Sequence, residues 1–265
     1  MNRIFAGIAI CILFSNTTAK AQELATFRPE VAAAWQKAGA EICWLARTGN
    51  DGWHWTTAKP ASKNAWSCMR FAPKKPMPDF GKLPVPDVPF ALFVGQSDLN
   101  NADMKQIARF QTVVYLSISL SQVDDAGLQE LIPLESLRCL DASGPKFTDK
   151  GAKYLAKLPL LEHLWLSKTN ITDVGVKELA RLKRLKFVSF AGTKITDKAL
   201  QDIAKIDTLE SLWLDRTLVT DRGLHELTRM ESLKLITLHK TNVTQAGLSS
   251  LRKAMPHLRI PYFPK

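Results

Sequence analysis

Apolar positions over the last two-thirds of the chain recur in one pattern, L-x-x-L-x-L, each copy followed by a polar turn and a short helical stripe. The pattern occupies Val113/Leu116/Ile118, Leu137/Leu140/Ala142, Leu161/Leu164/Leu166, Leu185/Val188/Phe190, Leu209/Leu212/Leu214 and Leu233/Ile236/Leu238. Behind the copies come segments such as Ile171-Thr172-Asp173-Val174-Gly175-Val176 and Val219-Thr220-Asp221-Arg222-Gly223-Leu224. Their small residue falls at 127, 151, 175, 199, 223 and 247, a constant step of 24. A period of this length marks a stack of supersecondary units. In each unit the short strand alternates, so its later apolar positions point inward and the residues between them point out. Thr172 then caps a helix whose first turn carries Asp173, the favoured sign at that end. Val176, Leu179 and Leu182 give the helix its inward stripe, and Gly175 gives the backbone room beside its neighbour. The column Thr169, Thr193, Thr217 and Thr241 is placed to bridge the loops of adjacent units. No unit can bury its own apolar edge, so each requires the next.

The register extends past the clear copies. Leu92 and Val94 take strand positions, and Met104, Ile107 and Phe110 helix positions, of a degenerate first unit; Ile260 and Tyr262 form a partial last strand. The pattern resembles the leucine-rich-repeat family in its 24-residue bacterial form, T-x-[IV]-T-D-x-G-L, and is similar to the repeat arrays of F-box leucine-rich-repeat proteins. The resemblance implies an α/β solenoid, a right-handed horseshoe with a concave parallel sheet and convex helices. Pro145, Ala199 and Gln245 depart from the loop threonine, the glycine and the aspartate respectively. No F-box-like segment precedes the repeats.

Residues 22–88 have a different texture. Pro29 to about Ala40 reads as a helix, Ile42–Ala46 and Ala65–Phe71 as strands, and 48–52 as turn chemistry. Trp35, Trp44, Trp53, Trp55 and Trp66 place most of the seven tryptophans in this small region. Cys43 and Cys68 are natural disulfide partners in an oxidising compartment, which would make residues 22–72 a small stapled N-terminal cap. Residues 73–88 form a proline-rich linker, lying as a strap against the repeat domain of 89–265.

Composition changes the picture at the ends. Residues 1–21 read as a secretory signal: Arg3, the apolar run Ile4–Phe14, and Ala19-Lys20-Ala21 with cleavage after Ala21. The apolar run is about half of what spans a bilayer, so a secreted or periplasmic protein without a membrane span is expected. The formal charge is +11. Without Arg3 and Lys20 it is +9, dispersed over the chain, which tilts binding toward anionic partners without forming a nucleic-acid platform.

In-register strands turn the outward positions into columns. The first runs Tyr115, Cys139, His163, Phe187, Ser211, Leu235; the second Ser117, Asp141, Trp165, Ser189, Trp213, Thr237. The third, at the strand end, runs Ser119, Ser143, Ser167, Ala191, Asp215, His239. Exposed aromatics ringed by small polar residues are what a protein-binding hot spot needs, and the expected binding residues are Tyr115, His163, Trp165, Phe187, Trp213, Asp215 and His239. The competing reading has these rings cover one another as a self-contained surface. Cys139, His163 and Asp141 could form a thiolate set, but no oxyanion hole or cleft accompanies them. Asp215 with His239 is too small a set for a metal. Trp53-His54-Trp55 packs a small core or stacks sugars. The sequons at Asn170 and Asn242 fall where the repeat turn already wants those residues. The function expected is therefore non-catalytic recognition of another protein, with no cofactor and no metal. The alternative is cell-envelope or carbohydrate binding through the tryptophan-rich region, with a thiol enzyme centred on Cys139 as a third class.

Overall fold

A computed structural model describes residues 26–48, 52–57, 60, 65–73 and 76–261. The signal expected at 1–21 and Tyr262 lie outside the described residues. The cap contains α1 (Pro29–Lys37), β1 (Ala40–Thr48), β2 (Gly52–Thr56) and β3 (Ala65–Phe71), followed by a 3-10 turn at Phe80–Lys82. The repeats contribute β4 (Phe90–Phe93), α2 (Asn101–Ile107), β5 (Val113–Ser117), α3 (Asp125–Gln129), β6 (Cys139–Asp141), α4 (Asp149–Leu155), β7 (His163–Trp165) and α5 (Asp173–Leu179). They continue with β8 (Phe187–Ser189), α6 (Asp197–Ile203), β9 (Ser211–Trp213), α7 (Asp221–Leu227), β10 (Leu235–Thr237) and α8 (Gln245–Ala254).

All ten strands belong to one sheet, ordered β10-β9-β8-β7-β6-β5-β4-β3-β1-β2. From β3 to β10 the pairing is parallel, and β1 pairs antiparallel with both β2 and β3. The apolar positions assigned to the strands and helical stripes lie in one continuous core, nearly all fully buried. Repeat strands of three residues and helices of seven are too short to persist alone. The stack is what holds them.

Two local devices fix the units to one another. In each, a threonine caps the helix: Thr172 Oγ1 accepts from Val174 N, and Thr148, Thr196 and Thr220 do the same for α4, α6 and α7. The acid just inside that cap then reaches forward. Asp149 accepts from Thr172 N at 2.7 Å, Thr172 Oγ1 at 2.7 Å and Gly175 N at 2.9 Å. The same link joins Asp125 to Thr148, Asp173 to Thr196, Asp197 to Thr220 and Asp221 to Thr244. In the degenerate first unit Asn101 takes the role, donating to and accepting from Asp124. This corrects the role expected of Thr169, Thr193, Thr217 and Thr241. Each donates to the carbonyl three residues back in its own unit, at 2.6–2.8 Å, and closes a local turn. The bridge between units is the aspartate.

The cap is continuous with the repeats. Residues Ser67–Arg70 of β3 pair with Phe90–Phe93 of β4, and fully buried Trp35 on α1 touches Phe71, Phe80, Phe90 and Phe110, with ring centroids 5.2–6.3 Å apart. The proline-rich segment is a strap, as expected: Pro84 O accepts from Trp35 Nε1 and Pro86 O from Thr112 Oγ1. The turn-like stretch read at 48–52 leads into a strand the sequence did not announce, since β2 carries the backbone of Trp53-His54-Trp55 along the sheet edge. The side chains of those three residues lie outside the described ones. Cys43 and Cys68 are direct partners across β1 and β3. Their buried Sγ atoms lie 2.7 Å apart, so the strand pairing brings together the two cysteines expected to be partners. What joins the cap to the stack is strand pairing and the Trp35 aromatic cluster.

Candidate functional site

The columns read from the sequence are those of the sheet. Tyr115, Cys139, His163, Phe187, Ser211 and Leu235 pair in succession from β5 to β10, as do Ser117, Asp141, Trp165, Ser189, Trp213 and Thr237. Their outward side chains lie on the sheet face away from the main core and form a second apolar cluster, with Phe93, Tyr115, Cys139, Trp165 and Phe187 at its centre and Trp213 packed on its flank.

The expected exposure of these aromatics is corrected. Trp165 and Tyr115 are each 5% exposed and Phe187 1%, while His163 is fully buried; Trp213 is half-buried. The rings tile. Centroids lie 6.0 Å apart for Tyr115 and Trp165, 4.8 Å for Trp165 and Phe187, and 5.2 Å edge-to-face for Phe187 and Trp213. His163 stacks on Trp165 at 6.3 Å. A large ring placed every 4.8 Å or so across a sheet cannot stand upright without leaning on its neighbour, which is why outward did not mean exposed.

The polar residues around the tile are partnered. Asp141 accepts from Ser143 N at 3.1 Å and Ser117 Oγ at 3.3 Å. Burial pushes its carboxyl above the ordinary value, against the lowering by the Ser143, Ser119 and Ser117 donors. Asp215 accepts from His239 N at 2.6 Å and Thr237 Oγ1 at 2.7 Å, so it meets the backbone of His239. Ser167 and Ser189 share a hydroxyl contact at 2.9 Å. Among the described residues, Trp165 Nε1, Trp213 Nε1 and Ser211 Oγ are buried without a hydrogen-bond partner.

Cys139 and His163 are register neighbours, but burial pushes the Cys139 thiol well up, with Glu162 adding to the rise. That is the opposite of what an attacking thiolate needs. Among the described residues, no three histidine, cysteine or acidic side chains converge on one point. The Asn170 side chain is engaged locally, Nδ2 donating to Pro145 O, and the main-chain N–H groups of Asn170 and Asn242 donate to Phe147 O and Val219 O.

Two rims flank the face, and neither was read from the sequence. At the strand start, Arg138, Glu162, Lys186, Glu210 and Lys234 stack one per unit. Glu162 pairs with Arg138 and Lys186, and Glu210 with Lys234, each at 2.8 Å. The signal was available, because opposite charges alternate there at the repeat period. At the strand end, Gln96, Leu120, Lys168, Arg216 and Lys240 hold φ between 54° and 58°, and Gly144 and Gly192 are also positive. Sequence alone points to glycine or asparagine in such a loop, so a lysine or arginine there carried no signal. Lys168, Arg216 and Lys240 are exposed.

These features can be set beside known proteins. A family model described as a leucine-rich repeat matches residues 157–180, one unit of the stack. Among solved structures, an internalin (inlF) from Listeria monocytogenes aligns with a TM-score of 0.53 at 17% identity, over 66% of this chain and 54% of that one. The chain has the leucine-rich-repeat fold. An internalin C2 (inlC2) from the same organism aligns with a TM-score of 0.58 at 18% identity, over 92% of the repeat protein and 99% of the internalin. The repeat protein thus spans about half the length of the first internalin, and at these identities the likeness is one of fold. No curated protein matches it in sequence.

Proposed function

We propose that this is an exported, non-catalytic recognition protein whose concave sheet holds another protein. The observation that carries the reading is the aromatic tile from Tyr115 through Trp165 and Phe187 to Trp213, a contiguous apolar surface on the face that the helices do not cover. The inner rings are packed under one another, so a partner would meet the tile at half-buried Trp213 and along its polar edge. Trp165, Phe187 and Trp213 supply the anchors, Tyr115 and His163 extend the tile, and Asp215 and His239 line its edge. Domain boundaries at 21, 72 and 88 are part of the same proposal, with residues 1–21 as a signal removed on export. The raised Cys139 thiol supports the non-catalytic reading.

The test is a pull-down from envelope and secreted fractions of the source organism, comparing the processed protein with the Trp165→Ala/Trp213→Ala variant and with Trp53→Ala/Trp55→Ala. Capture of one protein by wild type and its loss in the first variant alone is the expected result. Retention of glycan alone, lost only in the second variant, would move the function to the tryptophan-rich cap. N-terminal sequencing of the exported material is expected to begin at Gln22.

A further inference from the structure

Trp165 Nε1 and Trp213 Nε1 can only donate, and neither finds an acceptor; Ser211, 1% exposed, leaves its hydroxyl unpartnered beside them. Asp141 accepts from Ser143 N and Ser117 Oγ, Asp215 from Thr237 Oγ1 and His239 N, and Ser189 shares a hydroxyl contact with Ser167, so these oxygens serve other donors. A buried N–H without an acceptor is a standing cost in the free molecule, and an arriving oxygen would remove it. The tile ends at Trp213, since the next positions on β10 are Leu235 and Thr237. The edge ring there is half-buried.

The two rims differ in charge in a way that names the ligand. Along the strand-start rim each cation has its glutamate. Along the strand-end rim, Lys168, Arg216 and Lys240 are exposed and make no ion pair among the described residues. These cations stand one residue beyond the third column, at the strand end. Asp215, the one acid of that column, accepts from Thr237 Oγ1 and His239 N and forms no ion pair with them.

We propose that the ligand of the concave face is an acidic protein segment. Its carboxylate and main-chain oxygens accept from Trp165, Trp213 and Ser211, and Lys168, Arg216 and Lys240 neutralise its charge. This rests on the concave-face reading above and adds the chemistry of the partner.

The experiment is to pan a phage library of random peptides against the immobilised, processed protein, then measure the best peptide by fluorescence anisotropy. The expected result is enrichment of Asp and Glu over the starting library and an affinity that falls as salt rises. Trp165→Phe/Trp213→Phe keeps the rings and removes both N–H groups, and is expected to weaken binding about tenfold. Lys168→Glu/Arg216→Glu/Lys240→Glu, on exposed positions that leave the fold intact, is expected to abolish it. Enriched peptides that are neutral or basic, or acidic peptides indifferent to both variants, would overturn this inference while leaving the concave face as a recognition surface. Equal competition by a sulfated glycan or an oligonucleotide of matched charge would also overturn it. Failure of wild type to retain any peptide beyond the Trp165→Ala/Trp213→Ala variant would overturn both readings.

Discussion

A single carboxylate shows how much each repeat position carries. Asp149 accepts from two main-chain N–H groups and one hydroxyl of the following unit, and the Gly175 position is small for that reason. A Cβ at Gly175 would stand 2.5 Å from Asp149 Oδ1, so the glycine is needed for close approach and not for a left-handed φ. Asp149→Ala is expected to lower unfolding stability by about 2–3 kcal/mol, since hydrogen bonds to a charged group are lost and the donors are left behind; urea unfolding measures it. Asp141 predicts a pH effect. Burial raises its folded pKa above the ordinary 3.8, so the folded chain holds that proton more tightly than the unfolded one. Its cost to stability is absent below about pH 3.8 and grows as the pH rises through the raised value. Asp141→Asn is expected to melt higher than wild type at pH 7, and thermal scans at pH 3 should find that advantage gone.

Strands of three residues and helices of seven have no life outside the stack. Leu164 lies on β7 between Leu140 and Val188, fully buried. Leu164→Ala is expected to cost about 2–5 kcal/mol, read from the denaturation midpoint with an unchanged slope. The strand-start charge column acts at the same scale. Glu162, 5% exposed, answers cations from the strands on either side. Removing one member of such a buried set costs more than the set itself contributes. Glu162→Ala is therefore expected to be more destabilising than Arg138→Ala, whose side chain is 44% exposed.

Across the whole molecule, the cap and repeats share one sheet and one core. Trp35 closes the open end of the first unit over Phe90 and Phe110. A terminal unit with no cover on one face is the expected failure point of a solenoid. A chain beginning at residue 89 is expected to lose solubility and cooperative unfolding, whereas Cys43→Ser/Cys68→Ser, which leaves the β3–β4 pairing in place, should keep both. Sedimentation and circular dichroism of the two variants decide it.

The period of 24, its register and the threonine cap were legible in the sequence because local chemistry and apolar spacing dictate them residue by residue. So were the concave columns, since parallel strands of equal length leave no other pairing. Tertiary structure alone decided what those columns became. Whether Trp165 stands in solvent or lies under Phe187 depends on neighbours 24 residues away. The link between units fell to Asp149 and its equivalents, not to Thr169 and its own, because the helix start, not the strand exit, faces the next unit's cap. The basic strand-end rim was invisible for a similar reason: Lys168, Arg216 and Lys240 adopt a backbone that the packed loop imposes, against their own preference.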